Sequence, residues 1–347
     1  MNNESSLMKN LIYSFLLLTS ATSFGQKMSK LVQTNENNRT FQYETTDVYA
    51  RGLYWENDRL FISNSDGGIY YYNTKTNKSK LVFKMNHIDE MRDVVEVGDY
   101  VLGMHSGEDG KLAKVGFDGS FEIIEQPEWK GVFLDGFDFI GKQGFMMGDP
   151  TNGKFNLFHT NDGGLNWERC PGILEAKEGE AGFAASGTNV QMINPNTYVF
   201  VSGGSVSYFY RSNDNGKTWM KIILPYYPGE SSGGFSICFS DEKTGVIVGG
   251  DYLTPELKMN TCFFTEDGGE SWFNAETTVG GYRSCVIHKN GVFYACGPNG
   301  IDYSTNKGVD WKPFANGAFF SLTSTPTQLI ASAKNGTLEF FELIKKK

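Results

Sequence analysis

The sequence has 347 residues, with 41 glycines, 10 prolines, 50 aromatic residues (27 Phe, 17 Tyr and 6 Trp) and a formal net charge of −9 at pH 7. The 39% content of hydrophobic residues excludes a disordered chain, and the acidic balance argues against a nucleic-acid-binding groove, which would be basic. No amphipathic helix of about 12 residues or more can be traced in the body of the chain, which disfavours helix bundles and doubly wound α/β folds. The abundance of glycine and aromatic residues instead predicts an all-β fold of many short strands.

The N-terminal segment has the pattern of a secretory signal peptide. Lys9 precedes the apolar run 11–18, and the small residues Ser23 and Gly25 stand three and one positions before a cleavage point between Gly25 and Gln26. The run is too short to span a bilayer stably, so an uncleaved membrane anchor is the less favoured alternative. We therefore expect the first 25 residues to be a signal peptide and the product to be secreted or periplasmic, with no membrane span after cleavage.

Beyond this segment, short apolar stretches separated by turn residues predict a four-stranded unit that repeats along the chain. Six complete units are predicted, over residues 49–84, 92–125, 133–170, 183–224, 235–276 and 282–315. Three further strands lack a fourth partner, at 319–324, 328–333 and 337–344, and a spare strand, Thr40–Thr45, precedes the first unit. This spare strand can complete the last sheet and leave no open edge. We therefore predict one domain, residues 26–347, folded as a seven-bladed β-propeller closed by an N-terminal strand; a six-bladed propeller is the alternative.

A motif that ends in tryptophan recurs four times and supports this prediction. Its copies are Thr160–Trp167, Ser212–Trp219, Thr265–Trp272 and a weaker Ser304–Trp311, and the tryptophans are spaced by 52, 53 and 39 residues. Periods of about 40–50 residues are typical of propellers and other repeat proteins. We assign a structural role to the aspartates, Asp162, Asp214 and Asp267, which are predicted to accept hydrogen bonds inside a turn. The tryptophans are predicted to begin the fourth strand of each unit.

The chain contains five cysteines, so at least one of them has no intramolecular partner. Cys285 and Cys296 flank an Asn290–Gly291 turn, which predicts a hairpin that places the two cysteines opposite each other. A disulfide and a pair of buried thiols are both compatible with that placement. The spacing of cysteine and histidine residues does not match a metal site, and we predict neither a metal nor a cofactor.

A further set of candidates belongs to the top face of the predicted propeller, where the innermost strands begin. Arg51, Arg92, Asp135 and Arg283 each precede the second strand of their blade by eight or nine residues, so they should occupy equivalent positions at the mouth of the central channel. Loops on the same face add ligand-binding candidates, which are Asp149, Glu180, Asp251 and Tyr252. Three arginines around one channel favour an anionic ligand, because guanidinium groups match carboxylate and phosphate. The alternative is a charged network that only rigidifies the channel.

The tryptophan motif resembles the Asp box of the BNR-repeat propellers, S/T-x-D-x-G-x-T/S-W, a group that includes sialidases and photosystem II stability/assembly factor-like proteins. Further segments resemble secreted bacterial propellers related to the latter: Arg51–Leu53, Phe133–Asp138, Gly148–Phe155, Gly179–Ser186, Gly249–Tyr252 and Gly281–Ser284. Members of that group are often labelled oxidoreductases, and the resemblance brings no established reaction. It implies an assembly-factor-like propeller that binds a partner protein or an anionic small molecule or glycan. We expect a monomer that does not bind nucleic acid.

A more distant resemblance to sialidases implies an enzymatic alternative. The arginine triad that binds the substrate carboxylate in those enzymes is matched in number by the three arginines named above. The tyrosine nucleophile, its glutamate partner and the aspartate acid/base of sialidases have catalytic candidates in Tyr252, Glu180 and Asp135, although the N-terminal Arg-Ile-Pro motif is absent. Three functions are therefore open: a non-catalytic binding propeller, which we favour, a glycoside hydrolase acting on an anionic glycan, and an oxidoreductase with an unidentified cofactor.

Overall fold

Seven antiparallel sheets follow one another along the chain, in a computed structural model that describes residues 31–33 by their backbone and residues 39–44, 47–85 and 90–345 in full. These residues are mostly in strands, with one short 3-10 helix at Pro127–Trp129, and none of their helices is long and apolar enough to cross a membrane. The predicted all-β, seven-bladed propeller is confirmed, and the six-bladed alternative is excluded. The predicted signal peptide lies outside the described residues.

Strands are numbered in chain order, and each blade is built from the channel outwards. Two N-terminal strands, β1 (Leu31–Gln33) and β2 (Arg39–Gln42), precede the first blade. Blade one consists of β3 (Ala50–Glu56), β4 (Arg59–Asn64), β5 (Gly68–Asn73) and β6 (Lys78–Lys84). Blade two consists of β7 (Glu90–Val97), β8 (Tyr100–Ser106), β9 (Lys111–Gly116) and β10 (Phe121–Ile124). Blade three consists of β11 (Leu134–Ile140), β12 (Gln143–Thr151), β13 (Lys154–Thr160) and β14 (Glu168–Arg169).

The remaining four blades follow the same plan, with two short extra strands. Beside blade four lie the two-residue strands β15 (Glu180–Ala181) and β18 (Gly203–Gly204). Blade four consists of β16 (Val190–Asn194), β17 (Thr197–Val201), β19 (Ser207–Ser212) and β20 (Met220–Leu224). Blade five consists of β21 (Ser232–Phe239), β22 (Gly245–Asp251), β23 (Cys262–Thr265) and β24 (Phe273–Asn274). Blade six consists of β25 (Cys285–Lys289), β26 (Val292–Gly297), β27 (Gly300–Ser304) and β28 (Lys312–Ala315). Blade seven begins with β29 (Phe319–Ser324), β30 (Gln328–Ala333) and β31 (Thr337–Glu342).

Blade seven contains strands from both ends of the chain. β2 pairs antiparallel with β31, so that Arg39 lies opposite Phe340 and Gln42 lies opposite Thr337. The predicted spare strand therefore completes the last sheet, although it ends at Gln42 rather than at residue 45. β1 pairs with β2 and adds an outer fifth strand that the sequence did not predict. The ring of blades is closed by hydrogen bonds between the two ends of the chain.

The predicted start of blade four, at residue 183, was wrong. Its innermost strand begins at Val190, and residues 182–188 form an irregular stretch, here called the crossing segment. The Gly182 N–H donates to Asp149 Oδ1 in blade three (2.9 Å), and the Thr188 carbonyl accepts from a backbone N–H in blade five (2.8 Å). The crossing segment therefore bonds to the blades on either side instead of pairing with β17.

Hydrogen bonds join the innermost strands from blade to blade around the channel. Asp93 Oδ2 accepts from Phe137 N–H (3.1 Å) at the junction of blades two and three, and Asp138 Oδ2 accepts from Met192 N–H (2.8 Å) at the next junction. Later junctions use polar side chains in the same way, with these donor–acceptor pairs: Phe239 N–H to Gln191 Oε1 (2.6 Å), Val286 N–H to Ser236 Oγ (2.8 Å), Ser284 Oγ to Phe320 O (3.0 Å) and Ser332 Oγ to Ala50 O (3.2 Å). These bonds connect sheets that share no β-ladder, so the ring behaves as one unit.

The tryptophan motifs form turns between the third and fourth strands of their blades. In the first copy, Asp162 Oδ1 accepts from the backbone N–H groups of Leu165 and Asn166, at 3.0 Å each. Asp214 repeats this arrangement with Lys217 and Thr218, and Asp267 Oδ1 accepts from the Ser271 N–H (3.0 Å). Each tryptophan directly precedes the fourth strand, and the tryptophans are Trp167, Trp219, Trp272 and Trp311. The indoles of the first and last are buried between neighbouring blades, so the motif fixes the outer strand of one blade against the next.

Two glycines allow a close approach of β18 to β21. Gly203 lies opposite Gly233, and a Cβ added to Gly233 would lie 2.3 Å from the Gly203 Cα. Gly233 also has a φ of +153°, which a side chain rarely adopts. Through this contact β15, which pairs with β18, joins the sheet of blade five.

We expect Gly233→Ala to lower the free energy of unfolding by about 1–3 kcal/mol, because the new methyl group would overlap the Gly203 backbone. Gly229→Ala is the matched control, since Gly229 lies in the loop before the same strand and a Cβ there would meet only Ser232, at 3.7 Å. Chemical denaturation measures both variants. Equal stability of the two would contradict the close crossing.

Two carboxylates of the inner ring are perturbed by burial. Desolvation raises the pKa of Asp138 to about 6, against the stabilising bonds from Met192 and Phe139 N–H groups. Desolvation likewise raises the pKa of Asp93 well above its ordinary value. Because the protonated form of Asp138 is favoured in the folded state, its contribution to stability is complete below about pH 4 and is lost as the pH rises through 6.

Asp138→Asn cannot ionise, so its free energy of unfolding relative to that of the natural chain should rise by on the order of 2–3 kcal/mol between pH 4 and pH 7. Denaturation of both proteins across that range measures the difference. Asp214→Asn serves as a control that should show little change between pH 4 and pH 7, because hydrogen bonds from Thr218 lower the pKa of Asp214 to about 2 and its contribution is lost only as the pH falls below about 4. A pH-independent difference for Asp138→Asn would overturn the assignment.

Candidate functional site

The innermost strands of several blades are interrupted at their top ends by a shift in register. The shift contains Arg51, Arg92, Asp135 and Phe235 in blades one, two, three and five, and a similar shift in blade seven contains Phe320 and Ser321. An extra residue in a ladder breaks the alternation of side chains and turns one of them aside. The structure therefore places Arg51, Arg92 and Asp135 at equivalent positions, as the sequence predicts, and adds an aromatic ring in blade five.

Arg51 and Arg92 belong to a charged group that we call the channel-mouth cluster, which also contains Tyr49 and Glu90. Glu90 Oε2 lies 2.9 Å from an Arg92 nitrogen and 3.6 Å from Arg51 Nε, so both guanidinium groups converge on one carboxylate oxygen. Glu90 Oε1 accepts from the Tyr49 hydroxyl (3.2 Å). The side chains of Arg51 and Arg92 are 13% and 15% exposed. They are held in place and still reach solvent.

The crossing segment forms one wall of this cluster through its backbone. The Ala185 carbonyl accepts from Arg51 Nη1 (3.4 Å), and the Ala184 carbonyl accepts from Arg92 Nη1. Because these carbonyls point at the guanidinium groups, the conformation of residues 182–188 determines how the arginines are presented. Asp149 fixes that conformation from blade three by accepting the Gly182 N–H.

Aromatic rings surround the cluster. The Arg92 guanidinium lies 5.1 Å from the Phe133 ring centre, and the Arg51 guanidinium lies 4.8 Å from that of Tyr49. Tyr49 in turn stacks on Phe320 of blade seven, at 4.6 Å between ring centres. These contacts orient the planar guanidinium groups, and their flat faces and apolar rings suit a ligand that carries both negative charge and apolar surface.

Arg283, the third predicted arginine, lies apart from this cluster. It is 1% exposed, and its Nε donates to Asp302 Oδ2 (2.8 Å) on β27. Its Nη1 donates to the Tyr282 carbonyl (2.9 Å) and to Asn299 Oδ1, and its Nη2 donates to the same Asp302 oxygen. The guanidinium thus points into blade six and ties the Gly280–Arg283 turn to that blade, so the structure brings together two arginines of the predicted triad and not three.

Glu180, one of the catalytic candidates, is enclosed between β15 and the outer part of blade four. Its Oε1 accepts from Ser202 Oγ (2.5 Å) and from the Tyr210 hydroxyl (2.6 Å), and its Oε2 lies 3.6 Å from Lys221 Nζ. Desolvation and the bond to this carboxylate raise the pKa of Tyr210 above its ordinary value. The glutamate is paired with a fully buried tyrosine, Tyr210, and not with the predicted Tyr252.

The other candidates occupy separate surroundings. Asp135 is fully buried and lies against Gly182, where an added Cβ would be 2.5 Å from its Oδ2. Tyr252 packs edge to face on Phe235 (6.1 Å between ring centres). Asp251 Oδ1 accepts the Leu253 N–H (2.9 Å) and so stabilises its own loop.

Sequence reasoning missed Tyr49, Glu90 and the crossing segment. Glu90 could have been found as a candidate partner, because it is an acidic residue only two positions before Arg92. The role of the Ala184 and Ala185 carbonyls carries no signal in side-chain type. Within the described residues, no group of three or more His, Cys, Asp or Glu side chains is placed to hold a metal ion.

Solved structures of several propellers resemble this chain. A catalytically inactive virginiamycin B lyase from Staphylococcus aureus, solved with quinupristin, matches with a TM-score of 0.62 and 11% identity, over 88% of this chain and 100% of that one. YCF48 bound to D1 peptide matches with a TM-score of 0.59 and 12% identity, over 93% and 100% of the two chains. The WD40 propeller domain of Doa1 matches with a TM-score of 0.61 and 9% identity, over 92% and 98%. At these identities the likeness shows the fold alone.

No protein-family model matches this chain, and no curated protein matches it in sequence. Membership of the Asp-box family therefore stays a prediction from the tryptophan motifs.

Asp149→Ala should loosen the crossing segment, because it removes the acceptor of the Gly182 N–H. We expect amide hydrogen exchange within residues 182–188 to become about five- to tenfold faster, the effect of losing roughly 1 kcal/mol of local hydrogen bonding. Asp149→Asn keeps an acceptor oxygen and is the control. Exchange that is unchanged in the alanine variant, measured by mass spectrometry, would show that Asp149 does not hold this segment.

Proposed function

We propose that this chain is an extracytoplasmic β-propeller that binds an acidic segment of a partner protein, or a comparable anionic ligand, at its channel-mouth cluster. The observation that carries the proposal is the convergence of two partly exposed guanidinium groups, those of Arg51 and Arg92, on a single oxygen of Glu90. A carboxylate of a ligand can occupy the same donors in place of, or beside, that oxygen. The role would be that of an assembly factor rather than an enzyme.

The electrostatics of the cluster favour an anion over other ligands. The guanidinium group keeps its charge at any physiological pH and offers forked donors that match the two oxygens of a carboxylate. Partial burial limits screening by solvent, which strengthens such a bond relative to one on an open surface. In a chain with a net charge of −9, two arginines at one mouth are also a local attraction for negative charge.

The surroundings of the cluster favour a peptide as the carrier of that charge. Phe133, Tyr49 and Phe320 present apolar rings beside the arginines, which suits a segment with apolar side chains next to its carboxylate. Two of the similar structures point the same way: one is YCF48 bound to D1 peptide, and another belongs to a mitotic checkpoint complex. The propeller fold is thus used for protein partners.

The glycoside-hydrolase alternative draws less support. A hydrolase of that class uses two carboxyl groups that flank the substrate. Glu180 is enclosed by Tyr210, Ser202 and Lys221, and Asp135 is fully buried. These placements do not favour a sugar between the two carboxylates. We therefore keep partner binding as the proposal, together with export by the predicted signal peptide and a monomeric state.

The proposal can be tested with synthetic peptides that alternate apolar and glutamate residues, each paired with a glutamine counterpart. We expect the protein to bind the glutamate peptides more tightly, and the Arg51→Gln/Arg92→Gln double variant to raise their Kd at least tenfold, which corresponds to about 1.4 kcal/mol. Fluorescence anisotropy measures the Kd, and added salt should weaken binding. A sialylated oligosaccharide provides the non-peptide anion in a parallel titration.

The matched control is the Lys142→Gln/Lys217→Gln double variant, which removes the same charge from exposed turns on the opposite face. Equal weakening by the two double variants would show that only net charge matters. Failure of every anionic probe to bind the natural chain would overturn the proposal.

A further inference from the structure

Two cysteines face each other on neighbouring strands of blade six. β25 and β26 pair so that Cys285 lies directly opposite Cys296, as the hairpin around residues 290–291 predicts. Both side chains are fully buried, and both are free thiols in this structure. Directly opposite residues in an antiparallel pair have Cα atoms about 4.5–5.5 Å apart, which lies within the range that a disulfide spans. The Cα spacing of such a pair is therefore compatible with a bond between the two sulfur atoms.

The Thr188 hydroxyl donates a hydrogen bond to the sulfur of Cys285 (3.8 Å). Although burial alone would raise the pKa of Cys285, hydrogen bonding to its sulfur, first from Cys296 and then from the Leu322 N–H, lowers it to about 7, whereas burial raises that of Cys296 well above its ordinary value. The pair thus combines a sulfur stabilised as a thiolate with a neutral thiol beside it.

The Cys285 sulfur needs to be accessible only to a very small molecule. Thr188 belongs to the crossing segment, is partly exposed, and its hydroxyl contacts Cys285 Sγ at 3.8 Å. A bulky disulfide would have to displace the crossing segment to reach the sulfur. Hydrogen peroxide is only slightly larger than water, so it is the oxidant best suited to a sulfur enclosed behind Thr188.

We propose that Cys285 and Cys296 form a peroxide-reactive dithiol, in which Cys285 is the nucleophile and Cys296 is the resolving thiol. The Cys285 thiolate attacks one peroxide oxygen, the O–O bond breaks, and the other oxygen leaves with a proton as water, which creates a sulfenic acid. The Cys296 thiol then attacks that sulfur, an S–S bond forms, and the second oxygen leaves as water. Two thiols lose two electrons in all, and one peroxide is reduced to two waters.

This proposal is independent of what the channel-mouth cluster binds. It concerns a covalent modification that converts the hairpin from a dithiol to a disulfide. Thr188, which contacts the reacting sulfur, lies in the same segment as Ala184 and Ala185, whose carbonyls accept from the two arginines of the cluster.

The test exposes the reduced, folded protein to a few equivalents of hydrogen peroxide, alkylates the remaining thiols under denaturing conditions and digests the product with trypsin. The sequence places Cys285 in the tryptic peptide 284–289 and Cys296 in the peptide 290–307, so a bond between them appears as a linked pair of peptides. We expect this pair to be the dominant thiol product, with Cys170 still alkylated as an internal control because burial raises its pKa to about 12. The rate at which the Cys285–Cys296 bond forms should rise with pH up to about 7 and then level off.

Two variants separate the roles of the thiols. Cys296→Ser should stop the reaction at the sulfenic acid of Cys285, which dimedone traps, and Cys285→Ser should leave Cys296 reduced. Full alkylation of Cys285 and Cys296 in the peroxide-treated natural chain would overturn the proposal, and this outcome does not depend on the folding of either variant. Reaction at Cys296 first, shown by a dimedone adduct there in Cys285→Ser, would overturn the assignment of roles.

Discussion

Closure of the ring of innermost strands is the constraint on which the rest of this molecule depends. Each blade buries its apolar faces only against its two neighbours, so the clusters between blades exist only while the ring is intact. Around the channel, polar side chains such as Asp93 and Ser236 accept backbone N–H groups of the next blade, which offsets the cost of burying them. The same junctions fix the strand ends that carry the charged residues of the mouth.

The channel mouth is assembled from parts that are distant in sequence. Its arginines come from the shifted registers of blades one and two, while its carbonyls come from the crossing segment before blade four. Neither part defines a site without the other, because an unsupported guanidinium would sample many rotamers. The register shift has a simple effect: it turns into the mouth a side chain that regular alternation would direct elsewhere.

Most of the fold could be predicted from the sequence because the four-stranded unit repeats along the chain. Turn residues and the tryptophan motifs located the blades because each unit must make the same reversals of direction, and the unpaired strands at the two ends pointed to closure. The predicted start of blade four, at residue 183, was wrong because an irregular, glycine-rich stretch with apolar residues resembles a strand in sequence. The prediction for Arg283 was wrong because counting residues back from the second strand cannot detect that this residue precedes the β25–β26 ladder, which begins at Cys285, and that its side chain turns to Asp302. The backbone carbonyls that contact the arginines could not be predicted, since any residue type supplies a carbonyl.

The pairing of β2 with β31 joins residues that stand about 300 positions apart in the chain. The first part of the domain to be synthesised is therefore held by the last part, and no fragment that ends before Thr337 can make this contact. Until then blade seven has an open edge, which is a surface for unwanted pairing with other chains. Late closure therefore means that the ring of blades is complete only after β31 has been synthesised and has paired with β2.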